Sequence, residues 1–234
     1  MVLDDTNGVQ LEKVAAQRPD LIIGVYSGLK EGEYERLSKL APVVAQPRGE
    51  PDYGSSWQEE PQMTGEAIGR PERARYLVAR TERLVADTAA EHPGFKGQTA
   101  VTAADFQGVF VYGRYDVRTR MLEDLGFEFP AKLAKATGDG FGGQLSEEKV
   151  DLLDVGALLW FAEPPGARKI RRRPVYSGLD VRMEGRDVFI SENDRVYDAT
   201  SFVTVLSMPT LMEELVPRLA RAADGDPKTS TAEE

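Results

Sequence analysis

The sequence predicts an α/β fold made of two α/β lobes joined by one long helix. Three observations point there. Helical and strand-like segments alternate near the start, the order of an α/β layer. Short apolar runs such as LIIGV, residues 21–25, suit strands buried on both faces, as in a parallel sheet. One helical stretch, residues 71–91, stands apart in length: about 20 residues span about 30 Å, the width of a small domain. Such a helix reads as a rigid connector between lobes; a helix flanking a single sheet is the other reading.

The elements follow in order. Asn7 or Thr6 caps a short helix whose apolar side is Val9, Leu11 and Val14. Arg18-Pro19-Asp20 ends it, because a residue before proline avoids the helical region. LIIGV is the first strand, residues 31–40 are helical, and residues 42–45 form a second strand. The loop QPRGEPDYGSSWQEE, residues 46–60, carries Tyr53 and Trp57. Aromatics in a polar loop either pack locally or face a ligand. Pro71 opens the long helix, since proline at a first turn lacks only an N–H that had no partner. Leu77, Thr81, Leu84, Val85 and Thr88 follow the helical repeat, leaving Arg73, Arg80, Glu82 and Arg83 outward.

The corner His92-Pro93-Gly94 ends that helix. GQTAVTAADFQGVFVYG then supplies one or two strands. Residues 118–125 form a short helix stopped by Gly126. Residues 146–153 are helical, ALLWFA (157–162) is a buried strand, and EPPGARKIRRRP is a loop with a basic cluster. DVFIS (187–191) is the last strand. Residues 210–223 are the last helix, with Leu211, Leu215 and Leu219 on one side, and a polar tail, read as disordered, follows.

Composition narrows the chemistry. The chain of 234 residues carries a formal net charge of −10, which argues against nucleic acid or an anionic membrane as main partner. It has no cysteine, so disulfides, thiolate metal sites and a cysteine nucleophile are excluded. Its single histidine, His92, leaves no room for a multi-histidine metal centre. No apolar run approaches the roughly 20 residues of a membrane helix. No signal peptide follows Met1, so a chain that starts there stays in the cytoplasm.

Three motifs merit weighing. GDGFGG, residues 138–143, spells a dinucleotide-binding pattern, but that pattern needs a strand before it and a helix behind. Here the helical KLAKAT precedes it, which favours a flexible loop at a cleft edge. VYGRYDVR places Tyr112, Arg114, Tyr115 and Arg118 just after a strand. Guanidinium forks and phenol faces together suit an anionic, aromatic ligand, while pairing of Arg118 with Asp116 is an equal alternative. Arg171-Arg172-Arg173 reads first as a solvated charge run. Nothing in the chain calls for an enzyme.

Taken in order, NGVQLEKVAAQRPDLIIG, YERLSKLAPVV, VYGRYDVRTRMLEDLGFEFP, LSEEKVDLLDVGALLWF and SFVTVLSMPTLMEELVPRL resemble the iron–siderophore substrate-binding proteins of ABC transporters. The resemblance covers nearly the whole chain. It implies two lobes on one long helix, a ferric siderophore bound between them with the iron held by its chelator, and delivery to a membrane permease. It implies no cofactor, no catalysis, no metal ligands from the protein and a monomer. It divides the chain into a partial N-terminal lobe (1–70), the connecting helix (71–92), a C-terminal lobe (93–206), a C-terminal helix (207–223) and the tail (224–234).

It also implies an incomplete N-terminal lobe, because family members carry further strands and a secretion signal ahead of the LEKV helix. Full-length members are extracytoplasmic and associated with the cell envelope. By position the resemblance marks Thr6, Tyr53, Trp57, Tyr112, Arg114, Tyr115, Arg118, Phe141 and Tyr197 as ligand contacts, with Tyr197 on a loop before the final helix. Glu12 is marked for permease docking, and no clear matching glutamate lies near Asp198. The family pattern LDxDVLVW reads LDVGALLW here and departs at Val155-Gly156. Two other readings stay open: an interaction or sensor module lacking transport, and a small nucleotide-dependent α/β enzyme.

Overall fold

In a computed structural model, residues 8–138 and 140–229 are described. Thr6 and Asn7, expected to cap the first helix, lie outside them; the residue preceding that helix is Gln10, without a side-chain cap.

The N-terminal part runs α1 (Leu11–Ala16), β1 (Ile22–Gly24), α2 (Glu31–Leu37), β2 (Val43–Ala45) and α3 (Glu59–Ala67). β1 and β2 pair in parallel, Ile22 opposite Val43. Full burial of the first strand does not hold. Ile23 is 45% exposed, and the other residues of this two-stranded sheet are only partly buried. The helix α3 was hidden in the tail of the Gly- and Pro-rich loop: Ser56 and Glu59 bond reciprocally at its start. Its Gly65 packs so close to Ala74 that a Cβ would sit 2.4 Å from it.

The long helix α4 (Pro71–Glu91) buries one stripe, Ala74, Val78, Thr81, Val85 and Thr88, at the spacing that puts residues on one face. It packs on α3 to one side and on α5 (Val117–Asp124) and the C-terminal helices to the other.

The larger sheet comprises β3 (Ala100–Asp105), β4 (Val109–Tyr112), β5 (Gly142–Leu145), β6 (Ala157–Phe161) and β7 (Asp187–Ile190), in the order β5-β4-β3-β6-β7. β3, β6 and β7 run parallel; at one edge β4 pairs antiparallel with β3 and β5 antiparallel with β4. Alternate side chains enter two cores. Ala157, Leu159, Val188 and Ile190 face α4, α5 and the C-terminal helices, while Leu158, Trp160, Val101 and Ala103 face the other side. Two buried faces explain the continuous apolar reading of ALLWF. At the departure from the family pattern, Gly156 lies against Thr99, whose carbonyl would be 2.8 Å from a Cβ.

The segment expected as a basic loop is instead a helix, α7 (Pro164–Arg171), following α6 (Ala131–Thr137) in helix order. Its two prolines occupy the first turn, where they favour helix, and Ala167 and Ile170 fill the core. The arginine run is not simply solvated: Arg171 lies 4.3 Å over the Phe189 ring and Arg173 reaches Asp105 at 3.1 Å. Short helices α8 (Pro174–Ser177) and α9 (Asp180–Met183) precede β7, and α10 (Arg195–Ser201) follows it. The last helix begins as α11 (Met208–Thr210), passes through a π-helical turn (Leu211–Leu215) and ends as α12 (Val216–Ala223). Beyond it, Thr229 bonds the Asp224 carboxylate. No helix among the described residues is long and apolar enough to cross a membrane.

Candidate functional site

A cavity of about 490 Å³ opens at the carboxyl ends of β3 and β6, where open α/β sheets place their ligands. β3 contributes Ala104 and Asp105, and β6 contributes Phe161. Phe110 and Tyr112 alternate onto one face of β4, and Phe141 comes from the turn into β5. Tyr197 and Ser201 descend from α10, and Glu163 and Glu192 stand at the rim. The rings form a continuous wall. Tyr112 meets Phe161 at 5.9 Å and Phe141 at 5.5 Å, and Phe161 meets Tyr197 at 5.4 Å, all edge to face.

Arg118 sits in this wall. The Asp116 carboxylate caps α5 by accepting the Arg118 backbone N–H at 2.9 Å, which fixes the first turn. The same carboxylate accepts from Arg118 Nη1 at 2.8 Å, while Nη2 donates to the Ser201 carbonyl at 2.8 Å. The guanidinium lies 4.3 Å over the Tyr112 ring and 5.6 Å from the Phe161 ring. Arg118 is thus paired with Asp116 and also lines the cavity.

Burial pushes the Asp116 carboxyl above its usual range, against the pull of Arg118. Burial likewise raises Tyr112. Tyr197 is raised first by burial and then by the Glu192 and Glu163 carboxylates beside it.

The N-terminal part reaches the site through two tyrosines. Tyr53 meets Phe141 at 5.2 Å, and Tyr26 meets Phe202 at 6.2 Å and Tyr53 at 5.5 Å. The Tyr26 hydroxyl is buried near Asp116 and Arg118, and burial drives its pKa far above the ordinary range.

Of the residues expected at the ligand, Tyr112, Arg118, Phe141 and Tyr197 line the cavity and Tyr53 abuts it through Phe141. Tyr197 arrives on a helix, not on a loop. Three residues are placed elsewhere. Trp57 is 1% exposed and packs in the core, donating its Nε1–H to Asp124 at 2.9 Å. Arg114 is exposed on the turn before α5, away from the ring wall. Tyr115 also faces solvent, with the Arg120 guanidinium 5.8 Å over its ring. Thr6 lies outside the described residues, and Glu12 is exposed on α1.

The glycines of GDGFGG have a steric origin. Gly138 ends α6 at φ 78°, a conformation open to glycine. A Cβ on Gly142 would lie 2.4 Å from the Val111 carbonyl, and one on Gly143 2.8 Å from the Thr137 carbonyl. A strand follows the loop rather than a helix, so no helix N-terminus awaits a pyrophosphate there. Among the described residues no three His, Asp or Glu side chains come together as metal ligands.

Fold and site together give an α/β protein with a ring-lined cavity at the carboxyl ends of its larger sheet. The chain belongs to the periplasmic binding protein family, whose description matches residues 1–186. Its fold is shared with PiaA from Streptococcus pneumoniae TIGR4 in complex with ferrichrome, at TM-score 0.82 and 23% identity, over 96% of this chain and 76% of that one. A periplasmic solute binding protein from Mycobacterium smegmatis matches at TM-score 0.78 and 25% identity, over 95% and 75%. FhuD2 from Staphylococcus aureus with bound ferrioxamine B matches at 0.75 and 18%, over 94% and 82%. No curated protein sequence matches the chain.

Proposed function

We propose that this chain is the substrate-binding component of an ABC importer, capturing a ferric siderophore between its two lobes and handing it to a membrane permease. The observation that carries the reading is the wall of Phe110, Tyr112, Phe141, Phe161 and Tyr197 around Arg118, met from the N-terminal side by Tyr53. Aromatic faces suit the apolar shell of a bulky chelate, and iron arriving inside its chelator needs no ligand from the protein. Solved proteins of this fold include complexes with ferrichrome and with ferrioxamine B.

In this reading Glu12, exposed on α1, faces the permease. Equilibrium dialysis with ferrichrome, followed by its visible iron absorbance, tests the proposal. Saturable binding at micromolar or lower concentration is expected. Absence of binding by ferrichrome, ferrioxamine B and a tris-catecholate chelate alike overturns it.

A further inference from the structure

We infer that the cavity prefers ferric chelates of neutral or positive net charge over anionic ones, and that Glu163 and Glu192 set this preference. The inference rests on the siderophore reading above and adds the charge class of the ligand.

The argument is a charge inventory of the cavity. Arg118 is the cation in its wall, and its charge is already paired with Asp116. Nη1 is held by Asp116, which is wholly buried behind it, and Nη2 by the Ser201 carbonyl. Its flat face rests on Tyr112. Its Nε–H has no hydrogen-bond partner, but its charge is already offset by the buried Asp116 carboxylate, so an incoming carboxylate or catecholate meets little uncompensated positive charge there. Arg114, the other guanidinium expected to meet an anion, is placed away from the wall.

The anionic side is different. Asp105 is offset by Arg173 at 3.1 Å. Glu163 and Glu192 have no ion-pair partner among the described residues. They are held side by side, with the Glu192 backbone N–H donating to Glu163 Oε1 at 2.7 Å. Both are exposed where they line the cavity, so they meet the ligand as it enters. Two uncompensated carboxylates over an apolar bowl attract a cationic arm and repel an anion. The net charge of −10 adds to that bias at long range.

Three probes of differing charge make the test: ferrioxamine B (a monocation), ferrichrome (neutral) and ferric enterobactin (a trianion). Each is titrated into the full chain by calorimetry at low and high salt. Ferrioxamine B and ferrichrome are expected to bind at least about 100-fold more tightly than ferric enterobactin. Added salt should weaken ferrioxamine B and narrow the gap. In the double variant E163Q/E192Q, where glutamine keeps the acceptor for the Glu192 N–H, the affinity ratio of ferrioxamine B to ferrichrome should fall about 10-fold. Ferric enterobactin binding as tightly as ferrichrome, or a ratio unmoved in the double variant, overturns the inference while leaving siderophore capture standing. Binding of none of the three removes both.

Discussion

Arg118 and Asp116 form a closed pair: the carboxylate caps the helix that carries the arginine and then grips its guanidinium at 2.8 Å, with the Asp116 side chain wholly buried. Removing either member strands the other in a low-dielectric wall. Arg118→Ala and Asp116→Ala are each expected to cost about 3–5 kcal/mol by urea unfolding. The double variant should cost clearly less than the sum. Additive costs would show that the two charges are independently solvated.

Trp57 joins two elements distant in sequence, since its Nε1–H bonds Asp124 on α5. Trp57→Phe keeps much of the packing but leaves a gap in the core and takes a donor from the exposed Asp124 carboxylate. About 1–3 kcal/mol of stability should be lost, while ferrichrome affinity stays within about two-fold. A large affinity loss in a fully folded variant would return Trp57 to the ligand site.

Buried tyrosines give the protein an alkaline limit. Tyr26, Tyr112 and Tyr176 are all raised, with burial the first cause in each. Tyr176 donates its hydroxyl to Asp187 and accepts from Trp160 Nε1, both at 2.9 Å. A raised folded-state pKa means the fold favours the protonated phenol. That contribution is complete below the unfolded value of about 10 and is lost as pH rises through the higher folded values. Urea midpoints should therefore hold to about pH 10 and fall above it, with the share of tyrosinate absorbance due to these three buried residues appearing only as unfolding proceeds. Full tyrosinate absorbance near pH 10 in a folded protein would contradict the burial.

How far these features could be read from the residues depended on whether their cause was local. Strands β3, β6 and β7 announce themselves because burial on two faces leaves an uninterrupted apolar run. Tyr112 and Arg118 were legible from their place just after a strand. Phe110 was missed although strand alternation puts it on the same face as Tyr112, and Phe161 although it ends a parallel strand where such folds bind ligands. Trp57 misled because a polar loop gives no sign that its one indole will dock on a helix 67 residues away. The α7 segment misled because paired prolines read as a break, when at a first turn they begin a helix. Tyr26 and Phe202 carried no signal, since they meet only through the tertiary fold, from opposite ends of the chain.

Gly142 should be intolerant of any side chain. A Cβ there would lie 2.4 Å from the Val111 carbonyl and 2.7 Å from the Phe110 ring, and the backbone oxygen belongs to a paired strand. Gly142→Ala is expected to destabilise by roughly 1–3 kcal/mol. Because it displaces Phe110 and the neighbouring Phe141, it should also weaken ferrichrome. A nucleotide-binding role for the loop predicts instead a thermal shift with nicotinamide or flavin nucleotides, and none is expected.

Tyr53 is the test of closure between the two parts. Its ring lies 5.2 Å from Phe141 on one side and 5.5 Å from Tyr26 on the other, so it couples the N-terminal part to the cavity rim. Its backbone sits at φ 57°, a region most side chains resist and asparagine tolerates. Tyr53→Asn therefore removes the ring without adding backbone strain, which alanine would not achieve. Loss of an aromatic contact worth about 0.5–1.5 kcal/mol should weaken ferrichrome about 2–10-fold. The change should fall mainly on the dissociation rate, because the ring acts after the chelate has entered. Stopped-flow release into excess competing chelator reads that rate directly. A Tyr53→Asn protein that releases ferrichrome no faster than the parent would mean the cavity holds its ligand without help from the N-terminal part.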